Sequence, residues 1–229
     1  MAYKKENGLK LYLECEVRDK NGKLLSKYKK ESESLLKNFM IMLQTMFNIQ
    51  ILSTEIGFDV VTEYNVTVKD TSGLSKTVTL GAYMRNQYRG YGYITFLPMC
   101  MNAQQNDDTY GIQVGSSPAS VSRDDYMLGG KILSGSGNGQ LAYGVTTVEI
   151  PDGTPPDTVF RVIRTFTNNT SDNITVYEIG LVIANQVASN QSTLQAPIYV
   201  LIARDVLTSP QTIPPGATLT VRYIFKVTA

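Results

Sequence analysis

The sequence predicts an all-β protein, a two-sheet sandwich or jelly roll that carries an N-terminal β-hairpin and one amphipathic helix. From about residue 59 onward, nine stretches rich in β-branched and aromatic residues are separated by turn-rich segments, which is typical of such folds. Only residues 34–47 change to helical spacing of their apolar residues. A chain of 229 residues is long enough to bury the core of one such unit.

An N-terminal hairpin is predicted over residues 9–28. Apolar and polar side chains alternate from Leu9 to Val17, and a second extended run, residues 24–28, follows the pair Asn21-Gly22. Asparagine and glycine both tolerate positive φ, so they indicate a type I′ turn between two antiparallel strands. Cys15 lies on the apolar face of the first strand and is expected to be a buried free thiol.

One amphipathic helix is predicted at residues 34–47, with Ser32 or Ser34 as its N-cap. Its apolar residues recur three or four positions apart. They are Leu36, Phe39, Met40, Leu43, Met46 and Phe47. This stripe either covers one end of the sheet core, as the buried face of a helix normally does, or offers an adaptable surface to a partner. The same six residues are therefore the candidate partner contacts.

The later strands are predicted in order along the chain, and the last one reaches almost to the C-terminus. Their ranges are 59–69, 75–83, 91–97, 110–115, 141–150, 158–167, 173–184, 197–207 and 218–228. Ile198–Ala203 is apolar without alternation, which predicts a central strand covered on both faces. In Val145–Ile150 the alternation slips by one residue, as it does at a β-bulge. The regular alternation of residues 218–228 predicts that the C-terminal strand is held inside a sheet.

The chain is expected to divide into two parts. Residues 1–50 form the hairpin and the helix, and they pack on a β-sandwich domain formed by residues 51–229. Because the sandwich can be completed without the first part, the hairpin and the helix are the segments expected to reach a partner.

Composition argues against several functional classes. The formal net charge is +1, so no strong overall field attracts nucleic acid or an anionic membrane. The chain has no histidine, the commonest general base and metal ligand. We find no nucleophile motif and no cluster of metal ligands in the sequence, so we predict no enzyme activity and no catalytic, cofactor-binding or metal-binding residues. The absence of a signal-peptide pattern and of an apolar run of about 20 residues predicts synthesis in a cytoplasm.

Several segments share part of a known ligand motif. Arg89–Phe96 has the aromatic pattern of an RNA-binding strand, but the helices that should flank that strand are not predicted, so RNA binding is a minor alternative. Gly135–Gly139 is similar to a phosphate-binding loop but lacks the lysine and the helix that should follow. Asn106–Asp108 and Arg123–Asp125 carry oxygen atoms suited to calcium without the spacing of a calcium loop, and solvated turns are the simpler interpretation.

Two charged residues, Glu178 and Arg204, interrupt apolar runs on predicted strands. A buried charge is costly unless it is paired, so these residues are candidates for a buried ion pair, or for a contact across a subunit boundary. The alternative is that both lie where their strands emerge at the edge of a sheet.

A set of short motifs occupies the second half of the chain. Val114-Gly115-Ser116-Ser117 is a Val-Gly-small-small turn, and Asp124–Leu128 follows it as an Asp-Tyr-x-Leu element. Further segments of the same style are Arg164–Thr170, Val176–Leu181, Leu201–Val206 and Ile213–Tyr223. Together they resemble virion structural proteins of tailed bacteriophages and similar viruses, over roughly residues 114–229. The motifs are structural rather than catalytic.

The resemblance implies a jelly-roll-like component of a virus head, neck or tail, such as a capsid decoration protein. Its partners would be copies of itself, most simply in a homotrimer, together with major capsid, neck or tail proteins, and its location would be the virion. The alternative is a receptor- or carbohydrate-binding module of a tail fibre or tip. Such a module would bind a host-surface glycan through the Tyr-rich strand and the loops at 101–109 and 134–140.

Overall fold

The computed structural model describes residues 8–32, 34–47, 51–54, 58–61, 64–80, 100–153, 157–185 and 197–228. Within these ranges the chain forms one helix, α1 (Lys37–Phe47), and thirteen strands. The strands are β1 (Gly8–Arg18), β2 (Leu24–Glu31), β3 (Ile51–Thr54), β4 (Phe58–Val61), β5 (Tyr64–Lys69), β6 (Ser75–Leu80), β7 (Gly111–Gly115), β8 (Ala142–Tyr143), β9 (Thr147–Val148), β10 (Asp157–Thr167), β11 (Ile174–Asn185), β12 (Ile198–Ile213) and β13 (Thr218–Thr228). The prediction of a mostly β chain with one helix is therefore confirmed.

The larger sheet has six strands in the antiparallel order β2-β1-β13-β10-β8, and β9 also pairs with β10. The C-terminal strand β13 lies in the middle, paired with β1 on one side and with β10 on the other. Its alternate residues are buried, and they are Leu219, Val221, Tyr223 and Phe225. The C-terminal strand is thus held inside a sheet, as its alternation predicts.

The predicted hairpin is present as β1 and β2, but its turn differs from the prediction. The loop runs over residues 19–23, and Asp19 Oδ1 accepts hydrogen bonds from the N–H groups of Asn21 (2.8 Å) and Lys23 (2.9 Å). Within this loop only Gly22 has a positive φ, 83°. A type I′ turn needs two such residues, so the predicted turn type was wrong.

The hairpin is part of the larger sheet. Because β1 is paired with β13, a domain boundary at residue 50 would separate two neighbouring strands of that sheet.

An irregularity lies at the start of the stretch predicted to contain a β-bulge. Phe166 of β10 pairs with Tyr143, whereas Ile163 pairs with Thr147. Three residues on this edge, 144–146, therefore face two residues of β10. One extra residue on one strand is the pattern of a bulge, and it separates what was predicted as one strand into β8 and β9.

The smaller sheet has three strands in the order β12-β11-β7. Residues Val200–Ala203 of β12 are fully buried, so the strand is covered on both faces as predicted. Its central position was predicted wrongly, because β11 is the middle strand and β12 lies at the edge. Residues 34–36 run beside that edge, where the Leu36 N–H donates to Ile202 O at 2.9 Å. A short non-strand segment therefore supplies the pairing that a further strand would have given.

The inner faces of both sheets contribute to one apolar cluster. It includes Leu13, Cys15 and Val221 from the larger sheet and Ile179, Leu181 and Ile202 from the smaller one. The helix α1 packs on β12 and β5, and the hairpins β3–β4 and β5–β6 complete the described elements. The strand predicted at 59–69 is divided between β4 and β5, and the strand predicted at 91–97 lies outside the described residues. No helix in the described part of the chain has the length and apolar character that crossing a membrane requires.

Candidate functional site

Glu178 and Arg204 lie in contact inside the molecule. Arg204 Nε donates to Glu178 Oε2 at 2.7 Å, and the side chains are 3% and 0% exposed respectively. The carboxylate also accepts the N–H groups of Gly129 (3.1 Å) and Gly130 (2.7 Å). Both oxygens of the buried carboxylate therefore accept hydrogen bonds, and all of the donors belong to the same chain.

Arg204 also fixes the long loop of residues 116–130, which we call the strap loop. Its Nη1 donates to Asp125 Oδ2 at 2.8 Å and to Ser120 O at 3.2 Å, and its Nη2 donates to Ala119 O at 2.9 Å. Burial acts to lower the pKa of Arg204, but the hydrogen-bonded carboxylates of Asp125 and Glu178 outweigh it and raise that pKa. The guanidinium therefore stays charged and holds the strap loop against β12.

Two glycines make room for this arrangement. A Cβ on Gly115 would lie 2.5 Å from Glu178 Oε1, and a Cβ on Gly180 would lie 2.8 Å from a methyl carbon of Leu128. Both distances are shorter than real contacts to a Cβ atom. The motifs Val114–Ser117 and Asp124–Leu128 are consequently brought together around Glu178, on the outer face of the smaller sheet.

Asp205, the next residue along β12, points to the opposite face and forms a second buried cluster. Its carboxylate is fully buried and accepts hydrogen bonds from Ser32 Oγ (2.8 Å), Ser34 Oγ (3.0 Å) and the Tyr223 hydroxyl (3.1 Å). Lys30 Nζ lies 2.8 Å from it. Burial raises the pKa of Tyr223 well above its usual value, and the charge of Asp205 adds to this. The predicted capping of the helix by Ser32 or Ser34 was wrong, because α1 begins at Lys37 and Leu36 therefore stands at the N-cap. Both serine hydroxyls donate to Asp205.

Arg164 forms a third cluster in which backbone carbonyls surround a buried cation. The residue is 1% exposed, and burial lowers the pKa of its guanidinium. Five carbonyl oxygens accept its N–H groups, those of Gly144, Tyr110, Ile112, Gln104 and Asp107. The guanidinium carbon also lies 4.7 Å from the centre of the Tyr143 ring. Arg164 therefore ties the loop 101–110 and the bulge of residues 144–146 to β10.

Two open grooves meet at Arg123, near the tip of the strap loop. The first has a volume of about 340 Å³ and is lined by Lys30, Ser34 and Val121 among others. The second, of about 320 Å³, lies between the strap loop, α1 and the β5–β6 hairpin. Its polar lining is Lys37, Asn38, Thr67, Lys69, Ser75, Asp124 and Asp125. Each groove is the size of a small polar ligand.

Comparison with known proteins does not assign a family. No protein-family model, curated protein or solved structure matches this chain.

The residues proposed from the helical stripe have different environments. Leu36 (1% exposed) and Phe39 (6%) are buried in the chain's own core, so they do not offer a surface to a partner. Met40 is 58% exposed and Leu43 is half-buried. The side chains of Met46 and Phe47 lie outside the described residues. Among the described members of the stripe, Met40 is thus the one open to a partner.

The segments with calcium-type oxygens are engaged in contacts of their own. Asp108 accepts hydrogen bonds from Lys131 Nζ (3.0 Å) and from the Ser134 N–H (2.7 Å). Asp107 accepts the N–H of Thr109 at 2.8 Å, which is a turn contact. Within the described ranges, no three Asp, Glu, Cys or His side chains are close enough to hold a metal ion.

The glycine-rich loop of residues 135–139 is filled by a neighbouring side chain. Gln140 Oε1 accepts the Gly137 N–H at 2.9 Å, and a Cβ on Gly135 would lie 2.2 Å from the same oxygen. That N–H is therefore not available to a phosphate. The aromatic segment Arg89–Phe96 lies outside the described residues.

Sequence reasoning missed Asp205 and Arg164. Adjacent residues on a strand face opposite sides, so the pair Arg204-Asp205 could have indicated one buried charge on each face of β12. Arg164 shares its face of β10 with the buried residues Val162 and Phe166. Because alternate residues of a strand share a face, this spacing could have indicated that Arg164 is buried.

Proposed function

We propose that this protein is a structural component of a viral particle, a capsid decoration, neck or tail protein. It works by packing against copies of itself and against other particle proteins, and it acts in the virion after synthesis in the host cytoplasm. In this proposal its two main sheets form a sandwich of the jelly-roll type. The proposal includes no catalytic step, cofactor or metal.

The use of the buried charges supports this proposal most directly. Glu178 and Arg204 engage each other and the strap loop, Arg164 engages backbone carbonyls, and Asp205 engages hydroxyl groups and Lys30. Buried charges are costly unless they are satisfied. Here the buried charges connect strands to the strap loop, to the loop 101–110 and to residues 30–34, so these segments keep one shape. A protein that acts by packing needs a surface of fixed shape, and the anchored strap loop carries motifs of the virion resemblance.

Peptide mass spectrometry of purified virus particles from the organism that carries the gene tests this function. We expect peptides of this chain at a constant ratio to the major capsid protein, and we expect a defined oligomer when the isolated protein is weighed by native mass spectrometry. A strictly monomeric protein that is absent from washed particles would contradict the proposal.

The binding-module alternative is supported by the grooves beside Arg123. Hydroxyl, amide and charged groups line the second groove, and they suit the hydroxyls of a sugar. A glycan array with the wild type and Arg123→Ala separates the two functions. Binding that is lost in the variant, while Lys131→Ala keeps it, would favour the module over the structural protein.

A further inference from the structure

At one edge of the six-stranded sheet, no described strand pairs with the outer side of residues 147–150. The Glu149 N–H donates to Arg161 O of β10 at 2.9 Å. Neighbouring residues of an antiparallel strand point their backbone groups in opposite directions, so the N–H and C=O of Val148 point away from β10. Apolar side chains are exposed along this edge, namely Val145 (50%), Val148 (36%) and Ile150 (87%). Residues 145–152 contain two acidic residues, Glu149 and Asp152, and no basic one. We call them the acidic edge.

The opposite edge of the same sheet is β2, which pairs with β1 alone among the described strands. The Ser32 N–H donates to Leu11 O of β1. Every second residue of β2 directs its backbone groups toward β1 in this way, so Lys29, three positions before Ser32, directs its N–H and C=O away from β1. Leu24 and Leu25 are 43% and 46% exposed. Residues 20–31 contain five lysines and one glutamate. We call them the basic edge.

The charges of these two edges decide which contact between copies is favourable. Two acidic edges, or two basic edges, would bring like charges together, which is destabilising. An acidic edge beside a basic edge joins opposite charges. On the acidic edge, Arg161 lies 2.8 Å from Glu149 and 3.5 Å from Asp152. On the basic edge, Lys27, Lys29 and Lys30 each lie within 4 Å of an acidic side chain, so part of each charge is already balanced within the chain. Lys20 and Lys23 have no acidic partner within the described ranges, and they leave the basic edge with an excess of positive charge.

We infer that the acidic edge of one copy pairs with the basic edge of a second copy, so that the six-stranded sheet continues from one molecule into the next. This inference rests on the proposed function and names the surface through which the copies pack. Unpaired strand edges with exposed apolar side chains are templates for such pairing. A head-to-tail contact of this kind leaves one free edge at each end of a row of copies, and the row closes into a ring when the rotation between copies allows it.

Two proline variants test the contact, because each removes one outward N–H and leaves the backbone hydrogen bonds inside the chain in place. Val148→Pro blocks the acidic edge, and Lys29→Pro blocks the basic edge. Val148→Thr and Lys29→Arg are the matched controls that keep the N–H. Native mass spectrometry and analytical ultracentrifugation should show an oligomer for the wild type and both controls. Each proline variant should associate at least about tenfold more weakly.

An equimolar mixture of the two proline variants gives the decisive result. One variant keeps its basic edge and the other keeps its acidic edge, so we expect a dimer with one copy of each and nothing larger. Because a Debye length of about 3 Å at 1 M salt screens exposed charges, that dimer should weaken as salt is raised. Folding of each variant is checked by circular dichroism, and the dimer itself requires both to be folded.

The possible results test the edge contact and the proposed function separately. If the wild type is an oligomer and both folded proline variants keep its mass, the edge contact is refuted while the proposed function stands. A dimer of Val148→Pro with itself, or a mixture of folded variants that stays monomeric, also refutes head-to-tail pairing. A wild type that is monomeric and absent from particles removes the proposed function, and the edge contact with it.

Discussion

Replacing Glu178 with glutamine keeps the size of the side chain and removes its charge. The carboxylate accepts three N–H groups, from Gly129, Gly130 and Arg204, and donates none. A glutamine amide has one oxygen and one NH2 group, so at least one of the three donors will face another donor. Removing one partner of a buried ion pair typically costs about 3–5 kcal/mol. Because Arg204 keeps Asp125 as a second carboxylate, we expect a loss near the lower end, about 3 kcal/mol.

The assay is chemical and thermal unfolding of the wild type and the variant. For a chain of this size, about 3 kcal/mol lowers the melting temperature by about 6–12 °C. The matched control is Glu149→Gln, which breaks a partly exposed pair with Arg161 (2.8 Å) and should cost at most about 1 kcal/mol. In a double-mutant cycle with Arg204→Met, the double variant should lose about 1–3 kcal/mol less than the sum of the single variants. Additivity within about 0.5 kcal/mol would refute the coupling.

Three further predictions concern single residues. Arg164→Lys should lose about 3 kcal/mol of unfolding free energy, since an ammonium cannot reach five carbonyls, and guanidinium at millimolar concentration should partly restore Arg164→Ala. Burial raises the pKa of the Cys15 thiol, so at pH 8 this cysteine should react with thiol reagents only as fast as the protein unfolds. For Asp70, burial acts to raise the pKa, but the hydrogen bonds from Leu74 and Ser72 outweigh it and lower the pKa. Its contribution to stability is therefore full above its ordinary pKa and is lost as the pH falls through the lower folded-state value. The difference in unfolding free energy between the wild type and Asp70→Asn, measured against pH, should show this loss.

The strands and the helix could be predicted because their signals are local. Alternation in β1 and β13 and the helical spacing in α1 each need only the residues of the element itself. Pairing is a property of distant residues, and so the edge position of β12 could not be read from Ile198–Ala203. Burial of both faces was predicted correctly, but residues 34–36 pair along the edge of β12, and nothing in their sequence indicates a strand.

The candidate site was predictable in part for the same reason. Glu178 and Arg204 were noticed because a charge inside an apolar run is unusual, whereas nothing in the sequence of the strap loop indicates that it contacts them. Arg204 bonds the carbonyl of Ala119, 85 positions earlier in the chain. The partners of Arg164 are backbone carbonyls, which every residue carries, so no residue type could have pointed to them.

The buried charges and the apolar core stabilise different parts of the molecule, and this separation can be measured. The two sheets share one apolar cluster, whereas the strap loop is attached largely through polar contacts to Glu178 and Arg204. Segments with few apolar contacts open locally at lower free energy than the core. In Glu178→Gln, hydrogen exchange at Gly129 and Gly130 should therefore accelerate by more than tenfold, while the amides of β13 should follow only the loss in global stability. Equal acceleration at both places would mean that the strap loop and the sheets unfold as one unit, and that the ion pair supports the whole fold rather than the loop.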